Sequence, residues 1–258
     1  MHVELHSEAH PAPTRISRSV LSDETYSVIR DMVLEHRIAP GNRVNIDSLS
    51  ADLGVSPTPV REALARLESD GLVVKVPLRG YSTTPLLSVR EFVELTQFRV
   101  LIEQWTASQA SRSVDPNVAR SLRAEIEIGR QTTGSREGGS EAFRALTDHD
   151  ARFHALIATT AGNELIAQSF ERTHFHLHFL RLYLASHSAD HPDHAKLREV
   201  LEEYDRSGQV SRTIDNHSAI ADAIIAGDAD EASTLMRDHI ELSRVRFLPV
   251  VELLSTLG

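Results

Sequence analysis

The stretch Leu53-Gly54-Val55-Ser56-Pro57-Thr58-Pro59-Val60-Arg61-Glu62-Ala63-Leu64 constrains this chain more than any other, because it spells the turn and second helix of a helix-turn-helix. Gly54 supplies the positive φ that ends a short helix begun near Asp47. Ser56 is placed to cap the next helix by accepting a backbone N–H, and Pro57 falls at the first helical position, where the N–H it lacks would have no partner. Val60, Leu64 and Leu67 recur at helical spacing and face a small core, which leaves Ser56, Thr58, Arg61 and Glu62 on the outer side, toward DNA. An ordinary pair of packed helices would need only the Gly-x-Ser turn, but here a second element adjoins it.

After Gly71 the run Leu72–Val76 has β-branched strand character, Pro77-Leu78-Arg79-Gly80 makes a turn, and Tyr81–Thr84 forms a second strand, so a wing hairpin follows. Upstream, Ser22 reads as the cap of a helix from about Asp23 to His36 with Val28, Ile29, Met32 and Val33 on its buried side, and Pro40-Gly41-Asn42 ends the connection. Helix, helix-turn-helix and wing over residues 20–84 resemble the winged-helix domain of the GntR family of bacterial transcription regulators. The matching residues are Ala39-Pro40-Gly41, Leu49 through Ser56, Thr58 through Leu64, Leu67-Glu68, Gly71-Leu72 and Arg79-Gly80. That family very often carries an Arg between the Ser and Thr of the turn, where this chain has Pro57, so sequence choice is expected to rest on Arg61, Thr58 and the wing. The expected DNA-facing set is Ser56, Thr58 and Arg61 of the recognition helix with Lys75, Arg79 and Gly80 of the wing. Arg43 and Arg66 join it as phosphate contacts, with a merely solvated charge as the competing reading for each.

A chain of 258 residues accommodates one such small domain and a larger one. The net charge of −10 is awkward for DNA binding, which draws affinity from Lys and Arg on phosphates. Its distribution softens the objection: residues 1–85 carry 9 basic against 11 acidic side chains, while residues 86–258 carry 18 against 26. Arg61, Arg66, Lys75 and Arg79 make the basic face local. With no cysteine, nothing argues for an oxidising compartment. Residues 1–19, with His2, Glu4, His6, Glu8, His10, Pro11 and Pro13, read as a loose tail and not as a signal or transit peptide. No apolar run approaches the ~20 residues of a membrane span, so a soluble, cytoplasmic protein without membrane contact is expected.

Beyond Pro85 the strand-like runs end, and residues 85–258 read as an all-helical domain, making the fold class mostly α. Helices are expected near Ser88–Arg112, Pro116–Arg130, Glu141–Thr160, Glu164–Ser186, Leu197–Asp205, Ser211–Ala226 and Ala229–Leu248. Asp150 and His154 stand four apart on one helix and so share a face. His217 and His239 lie on the last two helices, which an antiparallel turn at Gly227-Asp228 brings together. Three imidazoles and one carboxylate suit Zn²⁺, Ni²⁺, Mn²⁺ or Fe²⁺ more than Mg²⁺ or Ca²⁺. Among 14 histidines chance offers other pairs, such as His174 with His178 and His191 with His194. Of His174, His176 and His178, only His174 or His178 is placed to line a cavity.

Asp150-Ala151-Arg152-Phe153-His154, followed by His217-Ser218-Ala219-Ile220, Ala223-Ile224, Gly227-Asp228 and Met236-Arg237-Asp238-His239, is similar to the FCD ligand-binding domain of the fatty-acid-regulator branch of GntR proteins. That resemblance implies a divalent transition metal, zinc foremost, held by Asp150, His154, His217 and His239, against a metal-free hydrogen-bonded cluster. Arg99 matches an Arg-to-Glu pattern in the first helix of the family domain. It is expected to grip the carboxylate of a small organic acid, with an ion pair to Glu103 as the alternative. The whole reads as a homodimeric repressor that binds a two-fold symmetric double-stranded operator and responds to a small carboxylic acid. A metal sensor is the first alternative. A metal-dependent helical-bundle enzyme is the second, disfavoured because no Glu-x-x-His pair of the di-iron kind and no base beside the metal stand out.

Overall fold

The computed structural model describes residues 18–134, 139–187, 195–197, 199–200 and 209–255. Among them the chain runs α1 (Arg18–Leu34), β1 (Arg43–Val44), α2 (Ile46–Leu53), α3 (Pro57–Ser69), β2 (Val73–Val76) and β3 (Gly80–Thr83). Then come α4 (Val89–Arg112), α5 (Pro116–Gly134), α6 (Gly139–Thr160), α7 (Glu164–Glu171), α8 (Phe175–Ser186), α9 (Gln209–Ala226) and α10 (Ala229–Ser255). The expected tail lies outside the described residues as far as residue 17.

Helix α1 begins ahead of the expected Asp23, so Ser22 is inside it and caps nothing. No Gly or Pro between Arg18 and Asp23 interrupts the backbone ladder. Its buried side is Thr25, Ile29 and Val33, each four residues on from the last, and this leaves Val28 exposed instead of buried. Helix α2 is capped by Asn45, whose Oδ1 accepts from the backbone N–H of Asp47 and Ser48 at 3.0 and 3.1 Å. Gly54 closes it with φ 65° and ψ 28°, as the turn requires.

Ser56 takes the extended conformation of a cap residue but makes no capping bond. Pro59 at the third helical position removes one of the two donors such a hydroxyl reaches, and with the other, the Thr58 N–H, Ser56 makes no bond. Val60, Leu64 and Leu67 are fully buried, as their spacing predicts. The wing gains a strand that the sequence reading did not contain. β3 pairs with β2 from Val73↔Thr83 to Val76↔Gly80, and on its other side β1 pairs as Arg43↔Ser82 and Val44↔Tyr81, giving the order β1-β3-β2. Two residues are too few for an alternating pattern to show.

In the helical part, α4 opens with a reciprocal cap in which the Ser88 hydroxyl accepts from the Glu91 N–H while the Glu91 carboxylate accepts from the Ser88 N–H. The single helix expected over Glu164–Ser186 is two, because His174 adopts φ 44° and ψ 32° between α7 and α8. Its ring packs over Gly71, where a Cβ would come within 3.0 Å of it. Helix α10 runs past Leu248 and through Pro249. The expected Leu197–Asp205 helix is helical at 195–197 and 199–200, and the rest lies outside the described residues, as do His191 and His194.

One apolar cluster is continuous from Ile29, Leu64 and Leu72 around the helix-turn-helix to Phe92, Phe179, Phe247 and Val251 of the helical part, so the two parts share buried surface. The connection between them is clamped by the buried Arg181 of α8, which donates to Thr84 Oγ1 at 2.7 Å, to the Pro85 carbonyl at 3.3 Å and to the Thr84 carbonyl. A second cluster, with Phe153, Ile157, Ile220, Ile224, Met236 and Ile240, fills the bundle formed by α4, α5, α6, α9 and α10. No helix among the described residues is long and apolar enough to cross a membrane.

Candidate functional site

On the helix-turn-helix, Ser56, Thr58 and Arg61 are all exposed at the N-terminal end of α3, the Ser56 hydroxyl free of any capping role. Lys75, Arg79 and Gly80 are exposed on the wing, and Arg43 is exposed on β1, two strands from Lys75. Arg66 does not join them. Its Nη1 is 2.6 Å from Asp23 Oδ1 and its guanidinium sits 4.0 Å above the Tyr26 ring, so it is held against α1. The pair is exposed, so a phosphate contact by Arg66 would have to replace it.

Inside the bundle, α6 contributes Asp150 and His154, α9 contributes His217 and α10 contributes His239. One donor atom of each lies within 4.8 Å of all the others. Asp150 Oδ1 is 3.3 Å from His217 Nε2, 3.5 Å from His154 Nε2 and 3.9 Å from His239 Nε2, and the last two helices bring His217 Nε2 and His239 Nε2 to 3.2 Å. Donors bound about 2.0–2.1 Å from one centre stand roughly 2.8–3.4 Å apart for angles between octahedral and tetrahedral. The three histidines are buried and Asp150 is nearly so. His154 Nε2 is buried and stands 3.5 Å from Asp150 Oδ1, at the limit of a hydrogen bond, so it is an atom a metal would satisfy.

Two of the three outer nitrogens are already engaged. His154 Nδ1 contacts Glu103 Oε2, and His217 Nδ1 lies 2.9 Å from Nε2 of His149, whose Nδ1 in turn lies 2.8 Å from Glu125 Oε1. Such partners fix ring orientation and turn Nε2 inward, the arrangement that serves metal ligation. Burial works against charge on His154, but the Glu103 and Asp150 carboxylates outweigh it and raise this imidazole to about 9. Burial lowers His217 to about 4 and pushes His239 down as well. It opposes ionisation of Asp150 too, yet His154 and His217 outweigh it and hold the carboxyl well below its usual range. Metal binding would therefore release a proton from His154. The residues fit a divalent transition ion.

His149 was absent from the sequence reading. It stands five residues from His154, off the four-residue spacing that identified the pair. The available signal was Gly129 in the interior of α5, since a helical glycine marks a close approach. A Cβ there would lie 2.7 Å from the His149 ring.

Arg99 pairs with Glu103, Nε to Oε1 at 2.5 Å, and both are 2% exposed. Its guanidinium also stacks 3.7 Å above Phe175. The structure thus contains the ion pair that was the alternative for Arg99. Arg99 nevertheless lines a cavity of about 40 Å³ together with Asp150, Thr147, His176 and Thr213. A larger cavity of about 380 Å³ lies in the seam between α1 and α3 on one side and α6 to α8 on the other, with Tyr26, Arg30 and Asp70 facing Arg152, His174 and His176. His176 lines both, contrary to the expectation that only His174 or His178 would border a cavity.

Comparison with known proteins agrees with this architecture. The FCD domain matches residues 94–242, more than half of the chain, and the pattern described as bacterial regulatory proteins, gntR family, matches residues 21–82. The chain is 26% identical over 174 residues to the HTH-type transcriptional regulator YdhC of Bacillus subtilis, spanning 67% of this chain and 75% of that one. It is 24% identical over 238 residues to the HTH-type transcriptional regulator BphR of Paraburkholderia xenovorans, spanning 92% and 89%. The solved structure of E. coli McbR/YncC superposes with a TM-score of 0.60 at 19% identity over 89% of this chain and 97% of that one. A GntR regulator from Rhodococcus sp. RHA1 gives 0.58 at 19% identity over 88% and 97%. At these identities the structural likeness concerns the fold.

Proposed function

This chain belongs to the GntR family of bacterial regulators and carries its FCD domain, and from that premise we propose a repressor released by a small organic acid bound at a metal site in the helical domain. As a member of that family it is a DNA-binding transcriptional regulator and not an enzyme. The observation that carries the finer reading is the convergence of Asp150, His154, His217 and His239 within 4.8 Å, beside a cavity that Arg99 also lines. A bound divalent ion would supply a residual charge of about +1 and exchangeable positions for a carboxylate. The protein's own part is to aim Nε2 of His154 and of His217 at Asp150 through Glu103 and His149, and to keep Arg99 at the cavity wall.

In this reading Thr58, Arg61 and the wing read the operator, and a homodimer presents two such surfaces to a two-fold site. The acid acts by binding one arrangement of the two domains better than the other, since only differential affinity shifts a population. The shared apolar cluster and the Arg181 clamp on Thr84 and Pro85 connect the site to the DNA-binding part.

The test begins by selecting operator duplexes from a random pool with the purified protein. Their affinity is then titrated with chelator, with Zn²⁺ and with short carboxylic acids. Release by acid only when metal is present supports the proposal; release by the metal alone makes the protein a metal sensor. Absence of metal from protein purified without chelator, with no rise in melting temperature on adding Zn²⁺, Ni²⁺ or Mn²⁺, would leave a hydrogen-bonded cluster in place of the site. Light scattering at micromolar concentration checks the dimer.

A further inference from the structure

The inner cavity beside Asp150 is too small for the effector that the preceding proposal assigns to it. About 40 Å³ holds a few waters or a carboxylate group, as in acetate, and not the chain of a longer acid. The seam cavity, at about 380 Å³, is of the size that takes a small ligand. Between the two stands His176, in the first turn of α8.

Several features leave His176 free to move. Its imidazole makes no hydrogen bond among the described residues, and it meets the Phe175 ring edge-on, centroids 5.7 Å apart at 87°. Burial lowers it to about 4, so it is neutral and swings without breaking an ion pair. The turn that carries it follows the left-handed break at His174 and has no side-chain cap, whereas α4 begins with a full reciprocal cap. Phe175 beside it is fixed under Arg99, so the door moves while its frame stays.

Resting on the acid-and-metal reading, we propose that His176 is the door between the two cavities and that the effector is a carboxylic acid with an apolar tail. Its carboxylate occupies the inner cavity by Asp150 and Arg99, and its tail lies in the seam against Leu34, Phe170 and Leu180. A tail in that position touches both the DNA-binding part, through Leu34 and Tyr26, and the helical part. Occupancy of the metal side is thereby read directly at the junction of the two domains, with no relay through the bundle.

The experiment uses the full-length zinc-loaded protein and two probes, acetate and hexanoate, titrated calorimetrically. Hexanoate is expected to bind at least about tenfold tighter than acetate, because its methylenes leave water in the seam. Ala155→Trp fills the seam from an exposed position on α6 and should abolish that ratio while leaving acetate unchanged. His176→Ala should tighten hexanoate by about threefold or more, as removing the closed state raises the competent fraction. A ratio near one in the wild type, or a ratio that survives Ala155→Trp, overturns the door and the tail site while acid binding at the metal stands. If neither acid binds the zinc-loaded protein, the acid reading falls and this inference with it.

Discussion

Nε2 of His149 lies 2.9 Å from Nδ1 of His217, and through that contact the Glu125 carboxylate on α5 reaches the candidate metal site without touching it. His149→Ala keeps all four candidate ligands and is expected to weaken zinc by about 10–100-fold, the usual effect of losing a partner that orients a ligand. Competition with a calibrated chelator measures this. Gly129→Ala should weaken it less, by displacing the ring that its Cβ would meet at 2.7 Å. Unchanged affinity in both variants would assign His149 to packing.

Arg61→Ala is expected to cost about 1–3 kcal/mol of specific operator binding while the fold stays intact, since the side chain is exposed on the recognition helix. Arg79→Ala should lower the salt dependence of binding, as loss of one phosphate contact does. Arg66→Ala makes the contrast. Its guanidinium is committed to Asp23 and Tyr26, so the salt slope should be unchanged. Binding measured over a range of salt concentrations separates the three, and a lowered slope for Arg66→Ala would place that side chain on DNA.

What was legible in the sequence was local. Gly54, the spacing of Val60, Leu64 and Leu67, and the turn at Gly80 all act within a few residues, and each appears in the structure as read. The Asp150–His154 pair was legible for the same reason, since one helix turn fixes it. Ser56 makes no cap bond although its position was right, and Pro59, three places on, leaves it only one of the two usual donors. The break at His174 was not legible: His174 has neither Gly nor Pro beside it, and its left-handed backbone is accompanied by packing on Gly71, a residue about a hundred positions earlier. Likewise Glu125 meets His149 only through the packing of α5 on α6, which no spacing in the sequence records.

The Arg99–Glu103 pair permits a test of whether Arg99 serves structure, effector or both. Both side chains are buried, so Arg99→Met strands Glu103 with His154 alone and should destabilise the protein by about 3–5 kcal/mol, the cost of breaking a buried pair. Replacing both, Arg99→Met with Glu103→Leu, should recover much of this, because apolar residues of similar volume pack well in such places. Urea unfolding gives the stabilities. Because Glu103 also orients His154, acid response is read in Arg99→Lys, which keeps that carboxylate paired: response lost at wild-type zinc affinity places Arg99 on the acid, and an unchanged response makes the pair purely structural.

The last prediction concerns acidification. His36, after the end of α1, and His178, on α8, are both lowered to about 4, first by burial and then by the Arg181 guanidinium; His174 and His176 add to this at His178, and Glu91 opposes it. In the unfolded chain a histidine titrates near 6.5. Between about 6.5 and 4 the unfolded state therefore binds more protons than the folded one, and unfolding is favoured as pH falls. The stability that these residues confer is complete above about 6.5 and is lost progressively toward 4. His217 and His239 act in the same direction in metal-free protein, so wild type and His36→Gln/His178→Gln are compared with chelator present throughout. The urea midpoint of the wild type should fall from pH 7.5 to pH 5, and that of the double variant should fall less. Equal slopes would show that these two imidazoles are protonated as readily in the folded protein as in the unfolded chain.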